Sequence, residues 1–219
     1  MQLVVIAKEP RPGFVKTRLM PACTPDQAAT IAAAALADTL ATVTATPAER
    51  HVLALDGEAG DWVPDGVHVI PQRDGDLGRR LQGAFEDCFA AGAGPVLIVG
   101  MDTPQLTRAH LERAARALAD HQRDDAEDHD AVLAFAEDGG YWLIGLRWLH
   151  PDAFRGVAMS VDTTGAEQQR QLEHCGYRVA IVDADQPRLV DVDTVEDARL
   201  VAHAIPRSQF AGAVQAAAL

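Results

Sequence analysis

The chain has 219 residues, 48% of them hydrophobic, and carries a formal charge of −13. That length builds a sizeable core without disulfide or metal staples and fits one large domain better than two small ones. The acid excess argues against duplex nucleic acid as a partner, because a phosphate backbone requires clustered Lys and Arg, yet a few placed cations and a metal can still hold a small nucleotide.

Taken from the start, an apolar run over residues 3–7 reads as the first strand, with no basic leader before it and no long apolar stretch. No window of about 18 apolar residues occurs elsewhere, so neither a signal peptide nor a membrane span is expected, and the chain reads as cytoplasmic. The Ala-rich stretch Pro25–Thr44 reads as a helix, opened by Thr24 or Pro25 and stopped before Pro47. Strands follow at 51–55 and 67–70, then a helix at Leu77–Ala91. The near-continuous apolar run 95–99 has the character of a buried parallel strand. A helix at 107–119 leads into the acidic run 120–130, read as a solvated loop, with a histidine-containing metal cluster as the alternative.

Two more strands are expected at 131–136 and Tyr141–Leu146, joined by Glu137-Asp138-Gly139-Gly140. A helix over 164–175 precedes a strand at 177–182. An extended stretch at 189–192 then runs into a helix at Val195–Ala204, and the Ala-rich tail 206–219 reads as loose or helical. Alternating short apolar runs and helical patterns predict an α/β domain over 1–205 with a mostly parallel sheet. Cys23, Cys88 and Cys175 are odd in number and form no CxxC unit, so they read as reduced thiols.

Four clusters fall in loops after strands, where open α/β sheets bind ligands. The first, from Lys8 to Leu19, gathers Lys8, Arg11, Lys16 and Arg18, stiffened by Pro10 and Pro12 and opened by Gly13. It reads as an anion cradle for a di- or triphosphate, or as a basic solvent loop; neither GxxxxGK[ST] nor GxGxxG is present. The second, Gly100-Met101-Asp102-Thr103-Pro104, places a carboxylate at the end of the most apolar strand, where Mg2+ or Mn2+ bridging phosphates would compensate it. The competing reading is an Asx-turn. The third, Glu137-Asp138-Gly139-Gly140-Tyr141-Trp142, is either a close-approach loop in which Asp138 meets a sugar hydroxyl or a plain hairpin turn. In the fourth, Asp191-Val192-Asp193-Thr194 with Asp197, Thr194 and Asp197 suit a capping box, while Asp191 or Asp193 can give the metal a second carboxylate. A lesser stretch, Gln72-Arg73-Asp74-Gly75-Asp76-Leu77-Gly78-Arg79-Arg80-Leu81, joins a strand to a helix N-terminus that favours anions, with Asp76 as N-cap the alternative.

In order, Lys8-x-Pro-x-Pro-Gly13-x-x-Lys16-Thr-Arg18-Leu, Gly75-Asp76-Leu-Gly78, Gly100-x-Asp102-Thr-Pro104, Asp138-Gly-Gly-Tyr-x-Leu-Ile-Gly145 and Asp191-Val-Asp193-Thr resemble a bacterial glycosyltransferase-like family with the nucleotide-diphospho-sugar transferase (GT-A) fold. That fold also houses phospholactate and molybdenum-cofactor guanylyltransferases and CMP-sugar synthetases. The resemblance implies a three-layer α/β/α domain with a mixed, mostly parallel sheet. It implies metal ligation by Asp102 and Asp193, phosphate contacts from Lys16 and Arg18 supported by Lys8, Gly13, Asp76 and Gly78, and an acceptor side at Gly139, Gly140 and Tyr141. Asp102, Lys16 and Asp138 would be the catalytic set. Two departures stand out: Met159-Ser160-Val161 replaces an expected Trp-Ser-Thr, and Val195 replaces a proline.

Three functions follow from these residues: glycosyl transfer from a nucleotide sugar to a small acceptor, nucleotidyl transfer from a nucleoside triphosphate with release of pyrophosphate, and nucleotide binding without turnover. The first is preferred, because the Asp102-Thr-Pro and Asp138-Gly-Gly-Tyr motifs lean towards the glycosyltransferase-like family and the Gly-Gly-x-Ser-x-Arg-Met-Gly loop of many nucleotidyltransferases is absent.

Overall fold

The computed structural model describes residues 1–92, 94–119, 129–183, 186 and 188–219. Most of the acidic run 120–130 therefore lies outside the described residues. Seven strands form one sheet: β1 (Gln2–Lys8), β2 (Arg50–Asp56), β3 (Val67–Pro71), β4 (Val96–Gly100), β5 (Ala131–Phe135), β6 (Tyr141–Leu146) and β7 (Val179–Ile181). Their spatial order is β3-β2-β1-β4-β6-β5-β7. Pairing is parallel except for β6, which runs antiparallel to both β4 and β5. The mixed, mostly parallel sheet is thus the expected one.

Successive side chains of a strand point to opposite faces, and the core divides accordingly. Leu3, Val5 and Ala7 of β1 pack on one face with Leu97 and Val99 of β4. Helices α1 (Pro25–Thr44) and α3 (Arg108–Ala119) cover that side through Leu36, Leu40, Leu111 and Leu118. Val4, Val96 and Ile98 face the other way, against Phe85 of α2 (Leu77–Ala91) and Leu172 of α4 (Thr164–His174). Three layers result.

Helix starts follow local chemistry. Thr24 and Gln27 form a capping box before α1, with Pro25 at its first turn. Thr194 and Asp197 do the same before α5 (Val195–Ala204). Residues 206–219 realise the helical alternative: α6 (Gln209–Ala216) docks on α1 and α5 through the fully buried Phe210 and Val214.

One expectation changes. Strand β7 is three residues long rather than spanning 177–182. Tyr177 leaves the sheet to stack on Trp148, with ring centroids 4.0 Å apart, and its hydroxyl donates to the Trp148 carbonyl at 2.9 Å. The extended stretch 189–192 makes a single parallel bridge, Leu189 to Ala136. No helix among the described residues is long and apolar enough to cross a membrane. Cys23, Cys88 and Cys175 are free.

Candidate functional site

Strands β1 and β4 are adjacent and parallel, so Lys8 and the loop from Gly100 to Asp102 leave the sheet at the same edge. Because β6 is antiparallel to β4, its first residues, Tyr141 and Trp142, arrive at that edge too. The stretch after β7 is drawn in by three bonds. Val192 N donates to the Asp102 carbonyl at 2.9 Å, Gln105 Nε2 to the Val190 carbonyl at 2.8 Å, and Glu137 N to the Leu189 carbonyl at 3.1 Å. Residues far apart in sequence thereby enclose a cavity of about 570 Å3, within the usual range for small-molecule sites.

Lys8, Lys16, Arg18, Asp102, Tyr141 and Asp193 line this cavity. Lys16 joins two of its carboxylates. The Lys16 Nζ lies 2.6 Å from Asp102 Oδ1 and 3.8 Å from Asp193 Oδ1, and it donates to the Val192 carbonyl. Its side chain is only 5% exposed, whereas both carboxylates are more than two-fifths exposed and face the cavity. Arg18 Nη1 reaches Asp193 Oδ2 at 2.7 Å from a solvent-exposed position. The backbone of Lys16 is left-handed, with φ 49°, at the start of the 3-10 turn Thr17–Leu19. That unusual conformation for a non-glycine residue sets the position from which its side chain enters the carboxylate pair.

Asp102 does not cap its own loop; its carboxylate is turned to Lys16. In the fourth cluster the two readings fall on different residues. Asp197 accepts from Thr194 N at 2.7 Å and from Asp193 N at 3.1 Å, which leaves the Asp193 carboxylate to Lys16 and Arg18. Asp191, considered beside Asp193 in the sequence, is half-buried and also lines the cavity. Burial first, then the charges of Asp102 and Asp138, push its carboxyl up to about 7, against the opposing pull of Lys16. Burial likewise pushes the Tyr141 hydroxyl well above its ordinary value, so it stays protonated, 3.4 Å from Gln168 Oε1.

Other sequence candidates lie outside the cavity lining. Asp76 is the N-cap of α2, accepting from Arg79 N at 2.8 Å. Gly78 is buried, and a Cβ there would stand 3.2 Å from Met159 Cε. Gly13 bends the loop at φ 78° with open space around it. Asp138 closes the hairpin by accepting from Gly140 N at 2.9 Å. Gly139 and Gly140 seat helix α4: Gly165 N donates to the Gly139 carbonyl at 2.9 Å, and a Cβ on Gly139 would meet the Asp162 carbonyl at 2.0 Å. Both glycines therefore set the position of α4 and the start of β6.

Gln72 and Arg80, from the lesser stretch 72–81, and Trp142, from the third cluster, also stand in the cavity wall, although sequence reasoning assigned none of them a role of its own. Arg80 is held by Asp56 and by Gln72 Oε1 at 3.2 Å, while Gln72 Nε2 donates to the carbonyls of Ala7 and Ala54.

The metal implied by the fold can be tested against these atoms. Two carboxylates and one main-chain carbonyl converge on a single cationic group, Lys16 Nζ. An all-oxygen set with few carboxylates suits a hard divalent cation that completes its shell with phosphate and water. Among the described residues no three His, Cys, Asp or Glu side chains form a metal-holding group by themselves. The residues fit a metal shared with a ligand, not a closed protein cage.

The sequence over residues 29–161 matches the model of a family described as "Uncharacterized protein conserved in bacteria (DUF2064)". The chain belongs to this family. No curated protein matches it. Among solved structures it is similar to a candidate nucleotide-diphospho-sugar transferase from Desulfovibrio desulfuricans G20, at 24% identity and a TM-score of 0.84, covering 98% of this chain and 93% of that one. It is also similar to 4-diphosphocytidyl-2C-methyl-D-erythritol synthase from Anaerococcus prevotii DSM 20548, at 11% identity and TM-score 0.60 over 94% and 96% of the two chains. A third, CMP:2-keto-3-deoxy-manno-octonic acid synthetase complexed with CTP, matches at 15% identity and TM-score 0.55 over 94% and 98%. These likenesses establish the nucleotide-diphospho-sugar transferase fold.

Proposed function

We propose that this protein is a divalent-cation-dependent transferase that takes a nucleotide-sugar donor and glycosylates a small acceptor. The observation that carries the reading is the meeting of Lys16 and Arg18 with Asp102 and Asp193 inside one cavity. Cations for a diphosphate and carboxylates for a metal stand within one ligand's reach. Mg2+ or Mn2+, when bound, would neutralise charge on the departing phosphate.

The chain's own residues supply the rest. Asp102 and Asp193 would hold the cation, with the Val192 carbonyl as a neutral oxygen beside them. Lys8 and Arg18 would orient the phosphates, and their fixed positive charge is strongest in a cavity that excludes water. Asp191, held near neutrality and lining the same cavity, is placed to accept the proton of an acceptor hydroxyl. A phosphate acceptor is already ionised and needs no such base. Tyr141 stays protonated and serves as a hydrogen-bonding group. The hairpin at Asp138 shapes the acceptor side indirectly, through Gly139, Gly140 and α4.

The second reading, nucleotidyl transfer from a triphosphate, is favoured by a different observation. Four cations, Lys8, Lys16, Arg18 and Arg80, line the cavity, more than a diphosphate requires. A thermal-shift panel of UDP-, GDP-, ADP- and CDP-sugars against nucleoside triphosphates, each with and without Mn2+, separates the two, because binding raises apparent stability by mass action. Stabilisation by a sugar nucleotide only when Mn2+ is present is expected. A response confined to GTP or CTP would refute glycosyl transfer, and pyrophosphate release with an acceptor phosphate would then establish nucleotidyl transfer.

A further inference from the structure

A buried ammonium is costly unless carboxylates and carbonyls surround it, and Lys16 has such a shell. Its Nζ takes Asp102 Oδ1 at 2.6 Å, the Val192 carbonyl and, at longer range, Asp193 Oδ1. These are the same oxygens that fit a divalent cation. One position therefore has two claimants, and the protein's own cation already fills it.

From this we infer that Lys16 is an exchangeable internal cation that keeps the carboxylate site closed to metal until a nucleotide arrives. In the free protein, Lys16 neutralises Asp102 and Asp193 and repels a divalent ion. Phosphates entering beside Lys8 and Arg18 give Lys16 a second set of anions within reach of its flexible stem. Lys16 then leaves the carboxylates as the metal takes them, and both sets of anions stay compensated. Arg18 is no obstacle, because its pair with Asp193 is 72% exposed on the arginine side and such surface pairs hold weakly. Metal and nucleotide affinities are accordingly coupled, each raising the other by the same factor.

This inference rests on the proposed cation site, and the test keeps the two apart. Mn2+ alone is titrated by calorimetry into the wild type, Lys16→Met and Lys16→Gln, without nucleotide. The Met variant removes the charge at similar length; the Gln variant also keeps a donor for Asp102 and Val192 and guards against a folding defect in the first. Both are expected to bind Mn2+ at least tenfold more tightly than the wild type. Lys16→Arg, which keeps the cation, should bind it no better than the wild type. Equal or weaker Mn2+ binding by Met and Gln variants would overturn the exchange. If the wild type shows no Mn2+-dependent binding of UDP-glucose, CTP or GTP, the cation site itself is wrong, whatever the variants do.

Discussion

Asp191 gives a prediction whose size follows from its surroundings. Burial and neighbouring carboxylates raise its pKa from 3.8 to about 7 in the metal-free fold. The native state then binds more protons than the unfolded chain between those two values, so this group's contribution is fully present below about pH 4 and is lost as pH rises through 7. At 1.36 kcal/mol per pH unit of displacement, the wild type should lose about 2 to 3 kcal/mol from this group between pH 5 and pH 8. Asp191→Asn removes the titration. For a domain of this size, that loss corresponds to roughly 4–12 °C in Tm. The assay is thermal unfolding of both proteins, stripped of metal with chelator, at pH 5, 6, 7 and 8. The Tm of Asp191→Asn relative to wild type should climb from pH 5 to pH 7 and level off by pH 8. Parallel profiles would show that Asp191 is not held near neutrality and would remove it as a candidate base.

Two predictions concern the frame that supports the site. In Gly165→Ala the new Cβ would stand 2.9 Å from the carbonyl oxygens of both Gly139 and Gly140 and 2.8 Å from Phe135 Cδ1. Backbone cannot yield cheaply there, so unfolding in urea should show a loss of about 1–3 kcal/mol, and an unchanged midpoint would contradict the seating of α4. Phe210→Ala should cost about 3–5 kcal/mol by the same measurement, because Phe210 is fully buried between α6 and α1; a cost below about 1 kcal/mol would mean that α6 is dispensable.

The sequence made much of this readable, for physical reasons that differ by residue. Strands β1 and β4 are apolar on both faces because helices cover both, so their runs stand out. The cations of the Lys8–Arg18 loop are conspicuous against an acidic chain. Asp197 could be assigned to a cap because the Thr194 spacing admits little else. What remained illegible depends on contacts across the fold. Asp191 and Asp193 look alike in sequence, and only the bonds from Val192 and Thr194 set the carboxyl facing Asp102 and Asp138 apart from the one paired with Arg18. Lys16 reads as a phosphate ligand from its loop, but its counter-charges come from residues more than 80 positions away. The short β7 reflects Tyr177 turning out of the sheet to Trp148, a packing choice that local propensity does not encode. Gly139 and Gly140 read as ligand-facing or as a hairpin turn; the space beside Gly139 is taken by the Asp162 backbone and that beside Gly140 by the Asp138 carboxylate.

The central claim is that Asp102 anchors a cation through which nucleotide is bound. Calorimetric binding of UDP-glucose, CTP and GTP, with and without Mn2+, to the wild type and to Asp102→Asn tests it most directly. The account predicts Mn2+-dependent binding of at least one of these by the wild type, and its loss in an Asp102→Asn protein whose circular dichroism is unchanged. Mn2+-dependent binding that survives in Asp102→Asn would contradict it.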